Sequence, residues 1–337
     1  MNITFIHKNL TWSPTGIHGG AENAVFNIAS ALAALDNRVT ILGRFPESTR
    51  YRGVHYLNVG APYGPDRIIE RLPADTDITV VVSDLDNALA LKDVHQCKRV
   101  FWAHDSKALD PVAPDDLDLV IFVSEAQCAF YKQWCATKTV VVYNGFDPDI
   151  FFVEPVPVEN RIVYAGALVD EKGIGLLVDA FELARQSVPG LTLHVFGSED
   201  FWLRPSQDAL ENRCEGIQLG GKVTQERLRQ EYNRTLLSVV PSSGKLRLDP
   251  FPCSAIESQA CGCPPLVSDC GGLPEAVADP SLVFASDSVD ALAAALIAAI
   301  HNREDTLALR EQCARHVTPG YRWDRLAQKF LEALKEA

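Results

Sequence analysis

Asp249-Pro-Phe-Pro-Cys-Ser-Ala-Ile-Glu257, followed by Gly271-Gly-Leu-Pro-Glu275, is the stretch on which the reading of this chain turns. Two carboxylates, Asp249 and Glu257, flank a loop that passes into a helix. Pro250 and Pro252 stiffen the loop, and the helix is expected to begin near Ser254 with Glu257 in its first turns. Backbone N–H groups of the loop and helix start then face a ligand lying between two carboxylates, the natural acceptors for vicinal hydroxyls. A plainer reading makes Glu257 a complement to the helix dipole. It does not account for Gly271-Gly272 and Glu275 recurring after the next strand.

Working outward, short β-branched runs alternate with helical stretches along the whole chain, which predicts parallel sheets covered by helices. Strands are expected at Ile3–His7, Val39–Leu42, Ile78–Val82, Arg99–Ala103, Leu119–Val123 and Thr139–Tyr143, with helices such as Ala21–Leu35 and Glu125–Cys135 between them. After a break the alternation resumes at Arg161–Tyr164, Leu191–Phe196, Leu237–Val240 and Pro265–Ser268. The break, Phe146–Glu159, carries Pro148, Pro155 and Pro157 and reads as a linker. Pro319-Gly320 reads as a last turn before an amphipathic helix over Tyr321–Leu334. The expected architecture is α/β: two doubly wound domains, 1–150 and 151–318, facing each other across a cleft, plus a terminal helical segment, 319–337. Ligands of such sheets bind at the C-terminal ends of the strands.

Bulk properties bound the function. A chain of 337 residues, 47% hydrophobic and 22% charged, is long enough for two cores and too apolar for disorder. The net charge of −13 excludes a protein that coats nucleic acid, and it requires any site for an anion to gather positive potential locally. Met1–Lys8 reads as a strand rather than a signal peptide, and no run of 18 apolar residues is present. Nine scattered cysteines read as reduced thiols, so a cytoplasmic location is expected.

Three further segments carry chemistry. Gly16-Ile-His-Gly-Gly20-Ala-Glu22 follows the first strand and opens a helix, either as a plain tight turn or as a loop offering N–H groups to an anion. His104, at the end of Phe101-Trp-Ala-His104-Asp105, stands at a strand's C-terminal edge, as a solvated loop residue or as a donor to a hydroxyl or phosphate. Lys172, in Tyr164-Ala-Gly-Ala-Leu-Val-Asp-Glu-Lys172-Gly173, sits beside a helix start as a surface cation or a diphosphate ligand. Gly216-Ile-Gln-Leu-Gly-Gly-Lys222-Val223 nearly matches a Walker A loop but lacks its hydroxyl. The spacing of Asp84 and Asp86 resembles a D-x-D metal site, but it recurs at Asp75/Asp77, Asp116/Asp118 and Asp147/Asp149 and so carries little information. Cys261-Gly-Cys263 has no second ligand pair for zinc.

Together these segments resemble the retaining glycosyltransferases of family 4, which have the GT-B architecture, and the resemblance covers nearly the whole chain. Asp249-x7-Glu257 looks like the family's paired-acid motif, and Ser258-Gln-Ala-Cys-Gly262-Cys-Pro264 like its following helix and turn. Gly19-Gly20 matches its glycine loop, Ser124-Glu125 and Asn144-Gly-Phe-Asp147 its strand ends, and Tyr321-Arg-Trp323-Asp324 its C-terminal helix, which crosses back to the first domain. The resemblance implies an acceptor-side first domain and a donor-binding second domain. It implies catalytic roles for His104, Lys172 and Asp249. Donor contacts are implied for Gly19, Gly20, Gly166, Gly221, Lys222, Val223, Arg247, Phe251, Pro252, Cys253, Ser254 and Glu257, and acceptor-side positions for Glu22, Ser124 and Asn144. The co-substrate would be a nucleotide diphosphate-sugar and the acceptor a glycan or lipid-linked glycan. Neither a metal nor a protein base is required, and peripheral membrane contact is compatible. The chain departs from the family at Ala167, where arginine is usual. Lys245 or Arg247 is the expected replacement cation. Two alternatives are a nucleotide-sugar epimerase-like enzyme and a catalytically weak nucleotide-sugar-binding protein.

Overall fold

The computed structural model describes residues 1–7, 19–61, 63–91, 97–104, 117–132, 137–197 and 215–337. Gly16–His18, Asp105, Asp116 and the end of the helix expected to reach Cys135 lie outside the described residues. The described helices, in chain order, are α1 (Gly20–Ala34), α2 (Pro65–Arg71), α3 (Leu85–Ala90), α4 (Glu125–Tyr131) and α5 (Ile174–Ser187), then α6 (Gln225–Arg234), α7 (Cys253–Ala260), α8 (Val289–His301), α9 (Arg303–Gly320) and α10 (Trp323–Glu336). The chain divides into two compact units, Met1–Asn144 with Trp323–Ala337, and Gly145–Arg322.

The first unit is built on β1 (Asn2–Ile6), β2 (Arg38–Gly43), β3 (Thr49–Tyr51), β4 (Val54–Asn58), β5 (Ile78–Val82), β6 (Lys98–Ala103), β7 (Leu119–Phe122) and β8 (Thr139–Val141). Their order is β3-β4-β2-β1-β5-β6-β7-β8, parallel throughout except for the β3–β4 hairpin. Sequence reading missed that hairpin, whose first strand is three exposed residues and which turns over Arg52-Gly53. The central strands β5 and β7 are buried at every position, as a sheet covered on both faces requires. α10 belongs to this unit because its apolar stripe recurs at helical spacing, Trp323, Leu326, Ala327, Phe330 and Leu334. Phe330 is fully buried, its ring 6.1 Å from Phe5 and 4.9 Å from Trp102.

The second unit is an all-parallel sheet of β9 (Glu159–Ala165), β10 (Thr192–Phe196), β11 (Ile217–Gly221), β12 (Thr235–Val240), β13 (Pro265–Ser268) and β14 (Val283–Phe284), in the order β11-β10-β9-β12-β13-β14. Gly220 and Gly221, read from the sequence as a near-miss of a phosphate loop, lie on β11 itself.

Two expectations need correction. The Pro-rich segment read as a linker is packed on the second unit. Phe151 is 1% exposed, Phe152 lies under the Arg229 guanidinium at 4.5 Å, and the buried Asn233 amide donates to the Phe152 carbonyl while its oxygen accepts from the Glu154 N–H. Prolines remove ladder donors, but a side-chain amide can satisfy the remaining backbone in their place. The expected turn at Pro319-Gly320 also shifts, because α9 absorbs Pro319 into its last turn and the break falls at Tyr321-Arg322. There Phe146 and Arg322 form a parallel bridge, with the Phe146 N–H donating to the Tyr321 carbonyl at 2.9 Å.

Because Asn233 bonds both backbone groups, Asn233→Ala is expected to destabilise the chain by about 2 kcal/mol. The measurement is a urea midpoint that falls at an unchanged m-value. An unshifted midpoint would contradict this account of the segment.

Candidate functional site

In the second unit the strands' C-terminal ends gather Lys172, Ser242 and Asp249. Lys172 ends a 3-10 turn, Asp170–Lys172, directly before α5. Its Nζ lies 2.6 Å from Asp249 Oδ2, and the Ser242 hydroxyl donates to the same oxygen at 2.6 Å. Asp249 is 5% exposed at its side chain, Lys172 42%. Burial by itself would raise the Asp249 carboxyl. The adjoining Lys172 ammonium, the Ser242 hydroxyl and the Arg247 charge outweigh it and hold the pKa below its ordinary value. Oδ2 takes both bonds, and among the described residues Oδ1 has no hydrogen bond. The half-exposed ammonium presents a fixed positive charge outward.

Two glycines make this convergence possible. Gly173 has φ +71°, and a Cβ there would collide with the Pro241 carbonyl, so the Lys172 turn can rest directly on the end of β12. Gly271 has φ +56°, and a Cβ there would collide with the Asp249 carbonyl, which accepts the Gly272 N–H at 3.0 Å. The recurrence of Gly271-Gly272 therefore has a structural use, since it seats the loop after β13 on the loop carrying Asp249. Cys270 joins the same contact. Its thiol lies 3.5 Å from the Ser243 carbonyl and 3.4 Å from that of Arg247, and it accepts the Asp249 N–H.

α7 begins at Cys253, one residue before the expected start, with Pro252 at its N-cap and no side chain capping it. Cys253 and Ser254 are partly exposed there. Glu257, in the second turn, is buried with no side-chain partner among the described residues, and burial raises its carboxyl to about 7. Cys253 lies within the fields of Glu257, Lys172 and Asp249, and burial pushes its thiol up. Phe251 is 4% exposed and stacks on Tyr321 with ring centroids 5.9 Å apart, so it anchors the loop, and Pro252 beside it is buried. Gly166 follows β9, where the Tyr164 hydroxyl donates to the Ala167 carbonyl at 2.6 Å. Lys222 and Val223 follow β11, Lys222 exposed, and lead into Thr224, which caps α6. Lys245 is exposed on the outer part of its loop, its N–H donating to Asp287 Oδ2 at 3.1 Å, whereas Arg247 is half-buried and acts on Asp249.

In the first unit His104 follows β6. Burial, then His7, lowers its pKa to about 3, so the imidazole is neutral. Its ring stands edge-on to Trp102 at 4.3 Å, its backbone N–H donates to the Ser83 hydroxyl at 3.0 Å, and Nε2 is buried with no hydrogen-bond partner among the described residues. Ser83 has φ +51°, a left-handed conformation rare for serine, at the adjoining strand end. Gly19 precedes α1 and Glu22 lies in that helix's first turn. Ser124 is fully buried and accepts the Gln127 N–H as the N-cap of α4, which is a structural use of its hydroxyl. Asn144 is buried at the end of the unit. Sequence reasoning missed Ser242, Cys270 and Ser83. Each stands at a strand's C-terminal end, the one signal that could have found them.

A family model described as glycosyl transferases group 1 matches residues 147–335, more than half of the chain. The chain belongs to that family. Among relatives of this glycosyltransferase-family chain is a lipopolysaccharide 1,2-N-acetylglucosaminetransferase of Salmonella typhimurium, 26% identical over 69% of this chain and 66% of the relative. The chain thus spans about two thirds or less of the curated relatives it matches first, 61% for the next. Among solved structures, sucrose-phosphate synthase from Thermosynechococcus elongatus superposes with a TM-score of 0.81 at 19% identity, covering 99% of this chain and 98% of that one. HepE from Anabaena, solved with UDP-glucose, superposes with a TM-score of 0.76 at 17% identity, covering 99% and 100%. These likenesses establish the GT-B fold of two Rossmann-like domains. Among the described residues no helix is long and apolar enough to cross a membrane.

Glu257 yields a pH-dependent prediction. Its carboxyl holds a proton more tightly folded, at about 7, than at the ordinary 4.5, so its ionisation disfavours the folded state. Native stability is greatest below pH 4.5 on this account and falls as pH rises through 7, by about 3 kcal/mol in all. Glu257→Gln is expected to stabilise the chain at pH 8 by about 1–3 kcal/mol and to lose that advantage at pH 4.5. Thermal unfolding at the two pH values checks this, and no gain at pH 8 would refute it.

Proposed function

We propose that this chain is an enzyme that moves a sugar from a nucleoside diphosphate-sugar to a glycan or lipid-linked glycan, with retention of anomeric configuration. The observation that carries the reading is the Lys172–Asp249–Ser242 cluster at the strand ends of the second unit, with Glu257 on the helix that follows. The family membership supports transfer over an epimerase-like or binding-only protein. The Anabaena complex makes a UDP-sugar the first donor to test, and the Salmonella relative makes a lipid-linked glycan the first acceptor.

In this reading Glu257 accepts the ribose hydroxyls, and ligand hydroxyls replace the solvation that burial has removed. Asp249 Oδ1 and the N–H groups at Cys253 and Ser254 hold the donor sugar. Gly166 and Gly221 to Val223 border the nucleotide. Lys172 lies beside the diphosphate and Arg247 supplies the second cation, in the role that Ala167 leaves open. In the first unit, the neutral His104 donates or accepts one hydrogen bond to the sugar or phosphate. Gly19, Gly20 and Glu22 border the acceptor. The bond from the anomeric carbon to the leaving phosphate oxygen breaks while the acceptor oxygen bonds to that carbon on the same face. The acceptor's proton passes to the departing phosphate. The protein's task is to position the reactants and to stabilise the negative charge that grows on the diphosphate.

Lys172→Ala is expected to lower kcat about 100-fold or more with a UDP-sugar, and Arg247→Ala about tenfold, while Lys245→Ala leaves turnover unchanged. Product formation is followed with labelled donor, and the anomeric configuration is read by NMR. Turnover untouched by Lys172→Ala and Arg247→Ala would sink the assignment, and an inverted product would overturn retention.

A further inference from the structure

A basic cavity of about 320 Å³ stands at the edge of the first sheet opposite to His7 and His104, among the N-terminal ends of β1 and β2, the β3–β4 hairpin and the end of α2. That volume falls within the roughly 300–1,000 Å³ of small-molecule pockets. The strand register builds its wall. Thr4 pairs with Thr40, Thr40 with His55, and His55 with Arg50, so four polar side chains stand in one row on one face. Two residues earlier along the strands, Asn2 pairs with Arg38 on the same face, and Arg71, the last residue of α2, lines the other side. The hairpin that sequence reading missed is what brings Arg50 to the cavity.

The charges do not balance. Three arginines line the cavity against one acid, Asp75, in a chain of net charge −13. Asp75 is paired with Arg38 at 2.5 Å, and the Thr4 and Thr76 hydroxyls bond each other at 2.9 Å. Among the described residues the guanidinium groups of Arg50 and Arg71 make no hydrogen bond or ion pair. His55 registers the excess: burial, then Arg50, then Arg38, hold its pKa below the ordinary value. Guanidinium groups match phosphate geometry, and two unpaired ones suit a dianion better than a monoanion.

We propose that this cavity is a second binding site, separate from the donor site, for a small phosphorylated molecule. Its phosphate rests on Arg50 and Arg71, and its hydroxyls on the row from His55 to Thr4. The site lies wholly in the first unit and shares no residue with the Lys172–Asp249 cluster, so its binding can be measured without donor or acceptor. The test titrates the full chain with inorganic phosphate and with glycerol phosphate at constant ionic strength. It follows the His55 imidazole resonances and the binding heat in the parent, in Lys172→Ala and in Arg50→Ala/Arg71→Ala. Expected are saturable His55 shifts in the parent and in Lys172→Ala, with affinity about tenfold or more weaker in the double variant. Arg50→Lys/Arg71→Lys should recover part of it, which separates lost charge from lost fold. His55 resonances that stay still, or that move equally in the double-alanine variant, would overturn the site. An equal response to acetate would overturn its assignment to phosphate.

Discussion

Backbone pressed against backbone at the strand ends of the second unit is the constraint on which the candidate site depends. Gly173 lies on the Pro241 carbonyl and Gly271 on the Asp249 carbonyl, each at a separation that no side chain permits. Only because both turns close in this way does the Lys172 ammonium reach a carboxylate from a loop 77 residues further along the chain. Ser242 and the Cys270 thiol then tie that loop from two sides.

Charge explains why so much machinery surrounds one ion pair. A chain of net charge −13 repels any anion at long range, so a site for one has to supply a local positive field and keep it oriented. Pairing Lys172 with a buried carboxylate fixes the ammonium's position and leaves part of it exposed. The pair is close to neutral on its own, and the net positive field there comes from Arg247 and from the uncapped start of α7. Glu257 shows the opposite balance. It is a buried carboxyl with no cation beside it among the described residues, and burial alone raises its pKa to about 7.

Four strands of the second sheet, β9, β10, β12 and β13, are readable in the sequence as apolar runs between turn residues, whereas β11 is a mixed IQLGG and β14 only two residues long, and neither leaves such a mark. The paired carboxylates are readable because prolines and glycines punctuate them. The β3–β4 hairpin was not legible, since Thr49–Tyr51 is three exposed residues with no alternation to detect. Nor was the packing of Phe146–Glu159, where prolines signalled a linker and a distant Asn233 amide supplies the missing backbone partners. The Ser124 hydroxyl caps α4, a use that the motif match did not indicate.

Local patterning by itself determined the α/β class, the placement of most strands and the residues at their C-terminal ends, because burial on two faces and chain reversal leave direct marks on composition. Tertiary structure alone decided which of those residues meet. That Lys172 pairs with Asp249 while Lys245 is exposed, that Glu257 has no side-chain partner among the described residues, and that Arg50 stands beside His55 are matters of strand register and loop contact. Sequence spacing does not encode them, because they join residues whose separation along the chain has no bearing on their distance in space.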